Sequence, residues 1–260
     1  MSTAIFKNIN INYKVQGTGK TNVVLLHGFL ESLEIWKEYS AALAKSFTVI
    51  SIDLLGHGKS ECVSYMHTME EMAEAVDAVL KAEGIRKAVF VGHSLGGYVT
   101  LAFADKYPDK MKGLCMFNST AAPDSEARKE DRLRAIDVVK YNHEIFVNMS
   151  IPNLFADQEK YMKQIEKVLK IAIKTPKQGI IAAISGMRER KNREIILKFV
   201  PCKTYYIIGK HDTVVPYEVA IEQALLNDEG AYYLSEEGSH MCFYEDAQAF
   251  VHLKKFIASC

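Results

Sequence analysis

Three residues that together could carry out nucleophilic catalysis occur along this chain in a suggestive order: Ser94, Asp212 and His240. Ser94 lies in Gly92-His93-Ser94-Leu95-Gly96-Gly97, after the apolar run Lys87-Ala88-Val89-Phe90-Val91 and before a helix-like stretch over 98–107. Glycines two before and two after a serine permit a tight strand-to-helix turn and let the backbone pass close to its neighbours. A short Gly-x-Ser-x-Gly pattern also falls in ordinary turns, so its setting between a buried-strand run and a helix carries the argument. A serine hydroxyl is a poor nucleophile until a base removes its proton, and that base works best when a third group holds it.

His240 sits in Glu237-Gly238-Ser239-His240-Met241, just after the last strand-like run. Asp212 sits in Gly209-Lys210-His211-Asp212-Thr213-Val214-Val215-Pro216, after Tyr205-Tyr206-Ile207-Ile208. Loops at the carboxyl ends of parallel strands open on one rim, so Asp212 can orient an imidazole there. Each residue alone has a bland reading, since Gly-Ser-His loops are common and a strand-end Asp often caps the next helix. Their order, each on a separate strand-end loop, favours the joint reading.

The elements that must position them follow from apolar patterning. Residues 5–16 alternate apolar and polar and reach Gly17-Thr18-Gly19-Lys20, a hairpin or edge pair followed by a turn. Val23-Val24-Leu25-Leu26 is a strand buried on both faces and ends in His27-Gly28-Phe29. A helix is predicted over 32–45, a strand over 47–52, and an amphipathic helix over 68–82, with Thr68 and Glu71 as a capping box and Gly84 as the stop. Another strand-like run covers 113–117. Strands alternating with helices imply crossovers and a mainly parallel sheet. From 119 to 192 the rhythm changes to helix after helix, and alternation resumes with a helix over 194–200, strands over 204–208 and 231–234, a helix over 217–226, and a final helix from about 244. An α/β core interrupted by a helical insertion fits this better than two sequential domains.

Composition bounds the rest. The chain has 260 residues, 48% hydrophobic and 25% charged, with 32 Lys+Arg against 32 Asp+Glu. No global field points to nucleic acid or an anionic membrane. The start lacks a basic segment followed by an apolar run, and no stretch is apolar enough to span a bilayer, so a cytoplasmic location is expected. Cys62, Cys115, Cys202, Cys242 and Cys260 are scattered and odd in number, which argues against a disulfide framework or a zinc site. Cys242, two residues after His240, reads as a core or pocket-wall thiol.

On these residues the chain resembles the α/β-hydrolase fold family along nearly its whole length. The blocks are His27-Gly28-Phe29, Asp53-Leu54-Leu55-Gly56-His57-Gly58-Lys59-Ser60, the Ser94 turn, Gly209-Lys210-His211-Asp212 with Val215-Pro216, and Gly238-Ser239-His240. The resemblance implies a mostly parallel, eight-stranded central sheet with helices on both faces and a helical cap. The core would be 1–118 with 193–260, and the cap 119–192. It implies Ser94 as nucleophile, His240 as base then acid, Asp212 as its orienter, and the backbone N–H groups of Phe29 and Leu95 as an oxyanion hole. His27 and the 53–60 block read as scaffold, with His57 and His93 outside direct catalysis. Asn118 stands where some relatives place the acid, but an amide cannot serve as that carboxylate. Serine at the turn argues against dehalogenase and epoxide-hydrolase chemistry, whose elbow residue is an aspartate.

The expected reaction is hydrolysis of a small-molecule carboxylic ester through an acyl-enzyme, with no cofactor and no metal. The alternatives are an enol-lactonase of the 3-oxoadipate type, a carbon–carbon bond hydrolase of aromatic degradation, and a slow-turnover ligand receptor on the same fold. The expected partner is therefore a small ester or lactone. Phe146, Met149, Phe155 and Met187 are candidates for an apolar acyl or ring site. An arginine among Arg128, Arg132, Arg134, Arg188 and Arg190 would suit a carboxylate-bearing substrate if it pointed inward, against the plainer reading of a solvated helix face.

Overall fold

The computed structural model describes residues 2–260. Its first hairpin pairs β1 (Ser2–Phe6) with β2 (Ile9–Gln16), turning through Lys7 and Asn8, both at positive φ. Two consecutive left-handed residues give a turn whose twist matches the strands it joins. The remaining strands are β3 (Asn22–Leu26), β4 (Thr48–Ile52), β5 (Ala88–His93), β6 (Met111–Phe117), β7 (Lys203–Gly209) and β8 (Ala231–Ser235). They form one eight-stranded sheet in the order β1-β2-β4-β3-β5-β6-β7-β8. The pairings of β2 with β1 and with β4 are antiparallel, and every pairing from β4 to β8 is parallel. Helices cover both faces, as the family resemblance implies.

Strand β5 is buried throughout and β3 nearly so, which explains their unbroken apolar runs. The chain leaves β3 for β4 on one side and returns to β5 on the other, so strand order reverses around β3. Ligand sites in open α/β sheets lie at the carboxyl ends of strands at such a reversal. Register aligns those ends: His93 pairs with Phe117, Phe117 with Ile207, and Gly209 with Ser235. The loops carrying Phe29, Ser94, Asn118, Asp212 and His240 therefore open along one edge.

The helices are α1 (Lys37–Leu43), α2 (Met69–Ala82), α3 (Leu95–Lys106), α4 (Glu126–Tyr141), α5 (His143–Ser150), α6 (Met162–Ala172), α7 (Lys177–Arg188), α8 (Glu194–Phe199), α9 (Tyr217–Ala224), α10 (Cys242–Glu245) and α11 (Ala247–Ser259). Thr68 Oγ1 accepts from Glu71 N–H at 3.1 Å and Gly84 turns left-handed after α2, the predicted cap and stop. Two boundaries differ from expectation. The helix expected over 32–45 begins as a tighter 3-10 turn over Leu33–Trp36, where Leu33 N–H is drawn to Asp53 Oδ1 at 2.7 Å. The last helix is two pieces, because Asp246 is extended and its carboxylate caps α11 through Gln248 N–H at 2.8 Å. Among the described residues no helix is long and apolar enough to cross a membrane.

Candidate active site

Ser94 connects β5 to α3 with φ 48° and ψ −113°, a conformation unfavourable for any residue with a Cβ. Its N–H donates to the Phe117 carbonyl at 3.0 Å and its carbonyl accepts from Gly97 N–H at 2.9 Å and from Ser119 Oγ at 2.7 Å. The turn is held from both sides. The flanking glycines are there for space: a Cβ on Gly92 would strike the Gly96 carbonyl, and one on Gly96 would strike Leu26 backbone. Leu30 and Asn118, on neighbouring loops, also have positive φ, so three of the strained non-glycine residues gather at this edge.

His240 Nδ1 lies 2.8 Å from Asp212 Oδ2, and both residues are buried. A carboxylate can only accept, so the proton of this bond sits on Nδ1, which in the neutral ring leaves Nε2 as the acceptor. Burial would raise the Asp212 carboxyl, but His240 and the N–H groups of Val214 and Val215, at 2.7 and 3.0 Å, hold it below its ordinary value. Asn118 Nδ2 donates to Asp212 Oδ2 at 3.0 Å and to the Ser239 carbonyl at 3.1 Å, tying the Asp212 loop to the His240 loop. The Cys242 thiol donates to Asn118 Oδ1 at 3.1 Å, and burial pushes it well up, which keeps it a neutral thiol.

The loop after β3 is fixed by His27, whose Nε2 accepts from Leu54 N–H at 2.9 Å while Nδ1 lies 2.7 Å from the Gly28 carbonyl. Asp53 accepts from Leu33 N–H, Asn12 Nδ2 and Lys59 N–H, a structural hub beneath the site. Among the described residues neither Phe29 N–H nor Leu95 N–H has a hydrogen-bond partner. Leu95 is the first residue of α3, where backbone donors are left over and the helix dipole favours negative charge.

A cavity of about 270 Å³ opens above Ser94 and contains His240, Phe29, Tyr98 and Val214 on the sheet side. Residues from the segment between β6 and β7 close it: Arg128, Asp131, Arg132 and Ala135 of α4, Phe146 and Ser150 of α5, and Ile184 and Met187 of α7. Of the apolar candidates, Phe146 and Met187 line this cavity and Met149 and Phe155 do not. Along α5 the lining face runs through Phe146 and Ser150, one turn apart, which rotates Met149 outward to 65% exposure. Phe155 is buried elsewhere, against Tyr161 and, stacked at 6.3 Å, Tyr244.

Glu31 is the main site residue that the sequence did not reveal. Its Oε2 accepts from Gly28 N–H at 2.5 Å and lies 3.0 Å from His93 Nδ1; His93 Nε2 in turn lies 2.9 Å from the His240 carbonyl. Burial alone would lower the His93 pKa, yet Glu31 raises it, and the same pairing holds the Glu31 carboxyl low despite its burial. The result is a buried ion pair joining the β3 loop, the serine turn and the His240 loop.

A profile of the alpha/beta hydrolase fold matches residues 21–247. The chain belongs to the α/β-hydrolase fold family. It is 28% identical over 242 residues to the dihydrolipoyllysine-residue acetyltransferase component of an acetoin cleaving system from Pseudomonas putida; the match covers 91% of this chain but only 63% of that longer protein. A thermophilic esterase from Thermogutta terrifontis superposes with a TM-score of 0.92 at 28% identity, covering 99% of this chain and 96% of the other. An enol-lactonase from Burkholderia xenovorans LB400 gives 0.92 at 21% identity, covering 99% and 100%, a likeness of fold. Esterases are thus among the proteins of this family that the chain resembles in sequence as well as in fold.

Proposed function

We propose that this α/β hydrolase cleaves a small-molecule carboxylic ester through an acyl-enzyme, with Ser94, His240 and Asp212 as its triad. The observation carrying this is a strained serine sharing one cavity with a histidine whose Nδ1 is engaged by a buried carboxylate. His240 Nε2 takes the Ser94 proton as Oγ attacks the ester carbonyl, while Asp212 holds the tautomer and steadies the imidazolium. The oxyanion forms at the Phe29 and Leu95 N–H groups, where one such donor contributes about 2.7–4 kcal/mol in the transition state. The imidazolium then protonates the leaving alcohol, and water activated by His240 releases the acid. Residues 119–192 serve as a cap on a core of 1–118 and 193–260, since α4, α5 and α7 supply the walls opposite the triad.

The test is reaction with a fluorophosphonate alongside turnover of short-chain p-nitrophenyl esters, an enol-lactone and an aromatic ring-fission product. Stoichiometric labelling of Ser94, with labelling and multiple ester turnovers both lost in Ser94→Ala, is the expected result. Ester turnover that survives Ser94→Ala overturns the assignment. Activity confined to the lactone or the ring-fission product moves the reaction to those classes, and a single turnover per protein moves it to a receptor.

A further inference from the structure

The cavity above Ser94 is apolar over most of its wall, but α4 brings charge to one side of it. Arg132 lines that side with its guanidinium anchored: Nε donates to Asp124 Oδ2 at 2.7 Å. The other Asp124 oxygen accepts from Arg190 Nη1 at 2.5 Å, and Arg190 lies 4.3 Å over the ring of Tyr98, itself a cavity residue. One buried carboxylate therefore serves two guanidinium groups. Burial would raise the Asp124 carboxyl, but the two arginines hold it below its ordinary value, so it stays ionised.

The two acids that line this cavity are both engaged. Asp131 pairs with Arg134, and Glu31 with His93. Arg128, one helical turn before Arg132 on the same face, also lines the cavity and pairs with no carboxylate among the described residues. The α4 side thus carries more guanidinium than carboxylate charge. Nε of Arg132 is occupied, and among the described residues its two Nη groups have no protein acceptor. That leaves the end-on edge of a fixed planar fork, the geometry that binds a carboxylate through two parallel hydrogen bonds.

We propose that Arg132, assisted by Arg128, is a specificity site for a carboxylate carried by the substrate, so that the preferred ester is an anionic half-ester rather than a neutral one. This rests on the ester-hydrolase reading of Ser94. Arg132 would hold the remote carboxylate while the apolar wall of Phe29, Phe146 and Met187 takes the connecting chain.

The test compares methanol release from monomethyl adipate and methyl hexanoate, which share a chain and differ in the ionised terminus. The wild-type protein should prefer the half-ester, mainly through KM, and the preference should weaken with added salt. Arg132→Gln should reduce that preference by about tenfold or more, the size of one charge-assisted hydrogen bond, and Arg128→Gln by less. Arg132→Lys should restore only part of it, because an ammonium cannot form the paired contact. Equal or better turnover of methyl hexanoate by wild type, or a preference that survives both Gln substitutions, overturns the inference and leaves ester hydrolysis standing. If the folded protein cleaves neither ester and Ser94 refuses the fluorophosphonate, ester hydrolysis itself falls and takes this inference with it.

Discussion

At the scale of single residues, Glu31 and His93 do more than fill space behind Ser94. Both are fully buried, and their contacts reach Gly28 N–H on one side and the His240 carbonyl on the other. Removing one charge of such a pair leaves the other uncompensated, so Glu31→Gln should cost about 3 kcal/mol in denaturant unfolding. The pH dependence has a definite sign. Because folding raises the His93 pKa, its contribution is complete below its ordinary value of 6.5 and is lost as pH rises through the raised value. Because folding lowers the Glu31 pKa, its contribution is complete above 4.5 and is lost as pH falls through the lowered value. The penalty of Glu31→Gln should therefore be greatest between those values and shrink on the alkaline side. A penalty that grows steadily from pH 6 to pH 9 would contradict the ion pair. Nothing local in the sequence signals this pair, since its members stand 62 residues apart and meet only when β3 and β5 align.

At the scale of elements, patterning was most legible where burial is complete or where a chain end carries its own chemistry. The runs at 23–26 and 88–91 became central strands, and Thr68 with Glu71 marked the start of α2. The order of Ser94, Asp212 and His240 placed three loops on one rim because parallel crossovers leave little choice of edge. What remained hidden was rotation. Which face of α5 turns inward depends on how it meets its neighbours, so Phe146 and Met149, three residues apart, could not be separated. The same reason hid Arg132, whose charge looks solvated on a helical wheel and is anchored by an aspartate before α4 begins. The contact of α3 with β3 carries a prediction of its own. Gly96 lets the helix lie against the Leu26 and His27 carbonyls, and a methyl there would meet rigid backbone. Gly96→Ala should cost about 3 kcal/mol and lower kcat by displacing Leu95 N–H from Phe29 N–H. Paired thermal melts and turnover would show it, and an unchanged protein would mean that α3 can slide.

At the scale of the whole molecule, one α/β core supports a sheet edge around Ser94 that is rich in buried imidazole. His27, His57 and His67 are all buried and, with His93, outnumber the imidazole that the proposed chemistry uses. Burial lowers the pKa of His27 and His67 and takes His57 down to about 3, so all three fold as neutral rings. The unfolded chain begins to bind protons at these sites at about 6.5, while the folded chain binds them only at lower pH, His57 near 3. Folding stability must then fall as pH falls below about 6.5, at up to about 1.4 kcal/mol per pH unit for each ring between its unfolded and its lowered folded value, and His93 does not oppose this below its ordinary value. Below the ordinary carboxylate range Asp212, Asp124 and Glu31, all held low by their partners, add to the loss. Urea unfolding between pH 7.5 and pH 4.5 should therefore show stability dropping steeply from about 6.5. His57→Gln, which keeps a donor for the Leu55 carbonyl, should flatten that slope by about 1.4 kcal/mol per pH unit without touching Ser94, Asp212 or His240. A flat profile down to pH 4.5 would mean that these rings protonate in place. The network around Ser94 would then hold charged imidazoles, His27 no longer able to accept from Leu54 N–H.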